Sequence, residues 1–261
     1  MSNQRNITLL QAEADDEDES YFRILINGSI KYVTIAPGIW STVDMCFGPS
    51  LASILPDLPT GEWNDGLVDK HPETGEPYFV RATRTTFSGV GNIWHSVFLD
   101  CMDLEEVRKL RGGIYEVKCA QFEGITVAKF ARFYWEIGYM EGETCAYQLI
   151  EGSGIGPRFL GHLTEDGRVI GFLMECITNA RHAGPQDLEI CQRTLSRLHA
   201  LGLKHGDVNR FNFLVRGEEA ILIDFDTIRK CDDTSLLAEE LQKLQEALEA
   251  KSTRGGGGRL C

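Results

Sequence analysis

His205-Gly206-Asp207-Val208-Asn209-Arg210-Phe211-Asn212-Phe213-Leu214-Val215, followed by Ile221-Leu222-Ile223-Asp224-Phe225-Asp226, decides how this chain is read. Asp207 and Asn212 stand five residues apart, a spacing that lets both side chains project from one loop into one cleft. Phe213-Leu214-Val215 and Ile221-Leu222-Ile223 are apolar runs of strand length, with Gly217 available for the turn between them. The hairpin they predict returns Asp224 to the neighbourhood of Asn212. Magnesium takes hard oxygen ligands, few of them from protein, with phosphate and water completing the shell. Asn212 and Asp224 suit that demand, and Asp207 suits a hydrogen bond from an attacking hydroxyl. A lone Asp and Asn after a helix are more often turn or cap residues. That simpler reading leaves His205-Gly206, the two flanking strands and the placement of Asp224 without an account.

The elements upstream follow in a consistent order. Ile114 to Ala120 alternates apolar and polar, Glu123-Gly124 marks a turn, and Ile125 to Phe133 continues as a strand that includes Val127-Ala128-Lys129-Phe130. Glu141 to Ile150 reads as a helix stopped by Gly152-Ser153-Gly154, and Val169 to Met174 as a buried strand. Asp187 to Ala200 carries Leu188, Cys191, Leu195 and Leu198 at helical spacing, with Gly202 as the stop. Thr234 to Lys251 has an apolar stripe of Leu237, Leu241, Leu244 and Leu248, and Asp232, Asp233 and Thr234 supply capping chemistry.

The order Lys, Glu, Asp-Asn, Asp over roughly residues 104–230 resembles the protein-kinase-like superfamily. The likeness is to its HGD-type branch of small-molecule phosphotransferases and minimal kinases, and is greatest to small fungal kinase-like proteins. The resemblance implies an α+β, bilobal protein-kinase-like fold that uses ATP and Mg2+. It implies Asp207 as the catalytic residue, with Asn212 and Asp224 as metal ligands. Lys129 would contact the ATP α and β phosphates, with Glu143 as its partner and Glu141 as the second choice. Val127, two residues earlier on the same strand face, would line the adenine pocket. Met174-Glu175-Cys176-Ile177 looks like the hinge, where the backbone of Glu175 and Cys176 would read the adenine edge.

The chain departs from that pattern at several positions. Only Gly112-Gly113 stands before Ile114, where three spaced glycines are usual ahead of Val117, so phosphate cradling by backbone N–H groups is weaker or done differently. Gly206 replaces the Arg that couples many protein kinases to activation-loop phosphorylation. Asn209 stands where Ser/Thr kinases place a Lys, with Arg210 adjacent, and Asp226 stands where the metal segment usually has Gly. After Asp224 only 261 − 224 = 37 residues follow, enough for one helix and a tail. The expected C-lobe is therefore strongly truncated, without the surface on which ordinary kinases dock peptides.

Composition sets the remaining bounds. A hydrophobic content of 43% and charged content of 25% over 261 residues suit a globular protein of one large or two small domains. Lys plus Arg number 26 against 39 for Asp plus Glu, and the net charge of −13 disfavours nucleic acid and membrane surfaces as partners. No apolar run reaches bilayer length and the start is polar, without a secretory pattern. The eight cysteines lack a Cys-x-x-Cys pair, so an intracellular, cytoplasmic protein without disulfide framework or zinc site is expected.

The expected organisation is an acidic disordered tail over residues 1–20 and a β-rich N-terminal region over 21–95. A kinase-like N-lobe over 96–177, a truncated C-lobe over 178–252 and a flexible tail over 253–261 follow. Phe22 to Ile26 and Ile30 to Ile35 around Asn27-Gly28 predict a hairpin. Residues 48–77 read as loops, followed by a strand candidate at Tyr78 to Phe87. Two functions fit this sequence. One is an ATP/Mg-dependent phosphotransferase acting on a hydroxyl of a protein or small molecule. The other is a catalytically weak or inactive pseudokinase used as a nucleotide-binding or scaffold module.

Overall fold

A computed structural model describes residues 6–250. The expected tail at 253–261, with Cys261, lies outside them. The described residues form a mixed α+β structure that divides into two compact units, Met1–Phe87 and Ser88–Cys261.

The first unit is built on one five-stranded sheet ordered β1-β2-β3-β4-β5. Its strands are β1 (Ile7–Glu13), β2 (Ser20–Ile26), β3 (Ser29–Ile35), β4 (Asp65–Lys70) and β5 (Pro77–Thr83). Asn27 and Gly28 both have positive φ, 50° and 82°, which is the turn that matches the twist of two antiparallel strands. β3 and β4 are parallel, so a crossover must join them, and the short helices α1 (Thr42–Cys46) and α2 (Gly48–Ile54) lie within it. Phe22, Ile24, Val33, Ile35, Met45, Leu51 and Val68 form the core.

Two expectations are corrected here. Residues 7–13, placed in a disordered tail, are the edge strand β1, paired antiparallel with β2. The acidic run at 15–19 is the connection between those strands, where Asp15 Oδ1 accepts the N–H groups of Glu17 and Asp18. The charges stay in solvent while the flank Ile7-Thr8-Leu9 pairs with Ile24 to Ile26. Residues 48–77, read as loops, contain α2 and β4, whose sequences are too short to show a period.

The second unit carries the strands β6 (Phe98–Asp100), β7 (Glu105–Arg111), β8 (Ile114–Cys119) and β9 (Phe122–Phe130), the helix α3 (Ile137–Ile150), and the strands β10 (Phe159–Glu165) and β11 (Arg168–Glu175). The six strands form one sheet in the order β6-β10-β11-β9-β8-β7. β12 (Arg181–His182), α4 (Leu188–Ala200), β13 (Leu203–Lys204), β14 (Phe213–Arg216), β15 (Glu219–Leu222), β16 (Arg229–Lys230) and α5 (Thr234–Glu249) follow. β14 and β15 make the expected hairpin, closed by Gly217 at φ 61°. β12 joins them in a three-stranded sheet, and β13 pairs with β16.

An aromatic core joins these layers. Tyr147 on α3 lies 5.0 Å from Phe172 on β11 and 5.3 Å from Phe225, and Phe159 lies 5.4 Å from Phe172. Phe225 is fully buried, so the segment after β15 is held by its ring against α3. Leu244 and Leu248 of the predicted stripe are buried in the same core, while Leu237 and Leu241 are half-buried. No helix among the described residues is long and apolar enough to cross a membrane. The seven described cysteines are all free, and burial pushes the Cys191 thiol up to about 12.

β9 and β11 approach closely at Gly171, where an added Cβ would fall 2.1 Å from the carbonyl oxygen of Lys129. Gly171→Ala should therefore cost about 3 kcal/mol or more, measured by denaturant unfolding. A loss below about 1 kcal/mol would contradict the close strand approach.

Candidate functional site

Lys129 sits near the end of β9, paired across to Phe172 on one side and Ile114 on the other. Its ammonium is buried and cannot remain there alone, because an unpaired buried charge is too costly. It is 2.5 Å from Glu143 Oε2 and 2.8 Å from Asp224 Oδ1. Glu143 lies on the buried face of α3, one turn before Tyr147, and is 1% exposed. Burial opposes the Lys129 charge, but the carboxylates of Glu143 and Asp224 outweigh it and raise its pKa. Burial likewise opposes the charge of Asp224, yet Lys129 and Arg111 hold its carboxyl well below the usual range. Asp224 has φ 66°, a left-handed conformation uncommon for a non-glycine residue.

The loop beside it is set by short-range bonds. Asn209 accepts the Phe211 N–H at 2.9 Å and opens a 3-10 turn, Arg210–Asn212. Asn212, 2% exposed, donates through Nδ2 to the Asp207 carbonyl at 2.8 Å. Asn209 Nδ2 reaches the Asp207 carboxylate at 3.1 Å, so neutral donors orient it while it remains exposed. The Ile223 N–H donates to the Asn212 carbonyl at 3.0 Å. That bond brings the main chains carrying Asn212 and Asp224 together. Their side chains are two hard oxygen donors in a chain segment where magnesium with phosphate needs few from protein, so the residues fit that ion.

Lys129, Glu143 and Asp224 thus form one ionic cluster, and Asp207 and Asn212 occupy the loop bonded to its flank. Val127 is buried two residues along β9 and pairs with Met174. Glu175 ends β11 opposite Thr126, donates its N–H to Arg158 O at 2.9 Å and accepts from Arg158 Nε at 3.0 Å. Its N–H is therefore engaged within the protein, and Cys176 follows it, half-buried. Glu141, the second choice beside Glu143, instead accepts the N–H groups of Gly91 and Asn92. Asp226 as a whole residue is exposed, but its carboxyl is partly desolvated by the surrounding protein, and this together with the nearby Asp224 charge raises its pKa.

Two residues of this region were not singled out from sequence. Arg111, at the end of β7, places Nη2 2.7 Å from Asp224 Oδ2. Its signal was its position just before Gly112-Gly113. Glu240 on α5 accepts the backbone N–H of His205 at 3.1 Å and of Gly206 at 2.7 Å, and contacts His199 Nε2 at 2.7 Å. Its signal was an acid one turn before Leu244, on the side of α5 that is buried. Through Glu240 the last helix holds the two residues that precede Asp207. Gly206 has φ 90°, and a Cβ there would stand 2.8 Å from the Thr227 carbonyl. Thr227 Oγ1 in turn donates to the His205 carbonyl at 2.8 Å.

Comparison with known proteins bears on this same region. Residues 174–254 match the lipopolysaccharide kinase (Kdo/WaaP) family. A curated relative, a probable bifunctional tRNA threonylcarbamoyladenosine biosynthesis protein of Methanothermobacter thermautotrophicus, is 32% identical over 105 residues. The match covers 38% of this chain and 19% of that relative, so the chain spans about a fifth of the relative's length. The kinase-like resemblance read from the sequence is thereby supported by both matches.

Burial opposes ionisation of Glu240, but His199 and the N–H groups of Gly206 and His205 outweigh it and lower its pKa. A lowered folded-state pKa gives stability that is present above the unfolded value of 4.5 and lost as pH falls through the folded value. Glu240→Ala should cost about 2–3 kcal/mol at pH 7, since it leaves buried N–H groups unpaired. The gap between the wild type and Glu240→Gln should narrow as melting is followed from pH 6 to pH 3. A gap independent of pH would contradict an ionised Glu240.

Proposed function

We propose that this chain, which is similar to the protein-kinase-like superfamily, is an ATP- and Mg2+-dependent phosphotransferase acting on a hydroxyl acceptor. The second unit would be a bilobal kinase-like fold. Its N-lobe would be the six-stranded sheet with α3, and its C-lobe would include α4, the Asp207 loop, the β14–β15 hairpin and α5. The observation that carries this reading is the Lys129–Glu143–Asp224 cluster with the Asp207–Asn212 loop bonded to its flank. Side chains from three separate stretches of sequence, around 129–143, 207–212 and 224, have the chemistry expected of one nucleotide site.

In this reading Lys129 binds ATP phosphate oxygens and is itself held by Glu143. Asn212 and Asp224 would hold the metal, which supplies charge neutralisation on the phosphates when bound. Asp207, oriented by Asn209 and Asn212, accepts the proton of the attacking hydroxyl. Val127 packs beside the adenine, and the main chain at Glu175 and Cys176 meets its edge. The matched family is named for lipopolysaccharide and the relative for tRNA threonylcarbamoyladenosine biosynthesis. These names share no acceptor, so the proposed acceptor class stays at a hydroxyl group.

Saturating MgATP should raise the melting temperature of the wild type, and Asp224→Ala should abolish the metal-dependent part of that rise. Asp207→Ala should keep MgATP binding and lose about 10²-fold or more in turnover of ATP, in line with removal of a general base. An unchanged melting curve with MgATP would overturn the nucleotide site. Binding with no turnover in the wild type, across sugar, nucleoside and protein hydroxyl acceptors, would assign the chain to the nucleotide-binding scaffold class instead.

A further inference from the structure

The glycine turn ahead of β8 is too short and too firmly tied to cradle phosphates. Arg111 pairs directly with Ile114, which leaves Gly112 and Gly113 as a two-residue turn. The Gly113 carbonyl accepts the Phe130 N–H at 2.9 Å, fixing that turn to β9. Gly113 has φ 71°, and a Cβ there would lie 2.6 Å from the Phe130 carbonyl, so the turn is pressed onto the strand. Backbone N–H groups that wrap an anion need an extended glycine-rich arch, and this geometry has none.

The cation at the end of this hairpin stands where such an arch would deliver its contacts. Arg111 Nη2 is 2.7 Å from Asp224 Oδ2, while Lys129 Nζ is 2.8 Å from Asp224 Oδ1. Both oxygens of the proposed metal-binding carboxylate are thus held by side-chain cations. A divalent cation arriving at Asp224 must displace at least one of them. Lys129 stays with Glu143, its second carboxylate partner, at 2.5 Å. Arg111 is more exposed, at 35% of its side chain against 9% for Lys129, and sits at a hairpin end. It is the cation free to turn. Its planar fork of N–H donors matches two phosphate oxygens at once.

We infer that Arg111 is a side-chain phosphate clamp: it holds Asp224 before nucleotide arrives and passes to the terminal phosphates of ATP when metal takes its place. This inference rests on the proposed nucleotide site and adds the residue that does the work of the missing glycine arch. It assigns Arg111 to the β and γ phosphates, since those lie beside a metal held by Asp224, and not to the adenosine end.

Isothermal titration with MgATP and with AMP, on the wild type, Arg111→Ala and Arg111→Gln, tests the assignment without reliance on turnover. The neutral Gln keeps a hydrogen-bonding group beside Asp224 should the Ala variant fold poorly. Both variants should bind MgATP about tenfold or more weakly, the loss expected for one charge-assisted contact. Both should bind AMP as the wild type does. MgATP binding that is unchanged or tighter would overturn the clamp and leave Arg111 as a simple block on Asp224. Equal loss of MgATP and AMP would also overturn it, as damage to the whole site. Wild-type protein that binds neither nucleotide would overturn the nucleotide site itself, an outcome distinct from failure of the clamp alone.

Discussion

The buried ammonium of Lys129 sets the terms for the rest of the second unit. A charge at that depth is tolerable only with close, oppositely charged partners, and removing one partner of such a pair costs about 3–5 kcal/mol. Its two carboxylates come from separate elements, Glu143 from α3 and Asp224 from the segment after β15. β9, α3 and the end of the hairpin must therefore meet at one point. The neighbouring packing meets the same demand: Tyr147, one turn after Glu143, holds the ring of Phe225, the residue after Asp224. Ionic and apolar contacts fix the same two elements, so the position of Asp224 is determined twice over.

The loop that carries Asp207 is held from the other side. Glu240 binds the N–H groups just before it, Thr227 the carbonyl of His205, and Asn212 the carbonyl of Asp207 itself. A single helix, α5, thus supplies the support from below while the β14–β15 hairpin supplies it from the side. This is an economical way to hold the Asp207 loop. A buried acid accepting main-chain N–H groups fixes the backbone directly.

The sequence made legible those parts whose physics is local. The Asp207–Asn212 spacing, the hairpin with Gly217, the Asn27-Gly28 turn and the helical stripe of α4 depend on residues within a few positions of one another. Lys129 and Glu143 were legible only because they stand in a recognisable order. Arg111 and Glu240 were not, because their partners lie 113 and 34–35 residues away and neither contact has a local signature. β1 was hidden by the acidic run that follows it, since charge dominated the reading of a segment whose first residues are apolar. β7 was hidden in a related way: Glu105 to Arg111 is charged and half exposed, and it is held as a strand by pairing with β8 and by the Arg108–Glu116 bond at 2.8 Å.

On the proposed function, these side chains form one site for metal and nucleotide. A crystal structure of the chain with Mg2+ and a non-hydrolysable ATP analogue tests it most directly. The expected result is a metal about 2.1 Å from oxygens of Asp224 and Asn212, with Lys129 on the phosphates and still paired with Glu143. Nucleotide bound elsewhere, or an Asp224 still held by both Lys129 and Arg111 under saturating MgATP analogue, would contradict it.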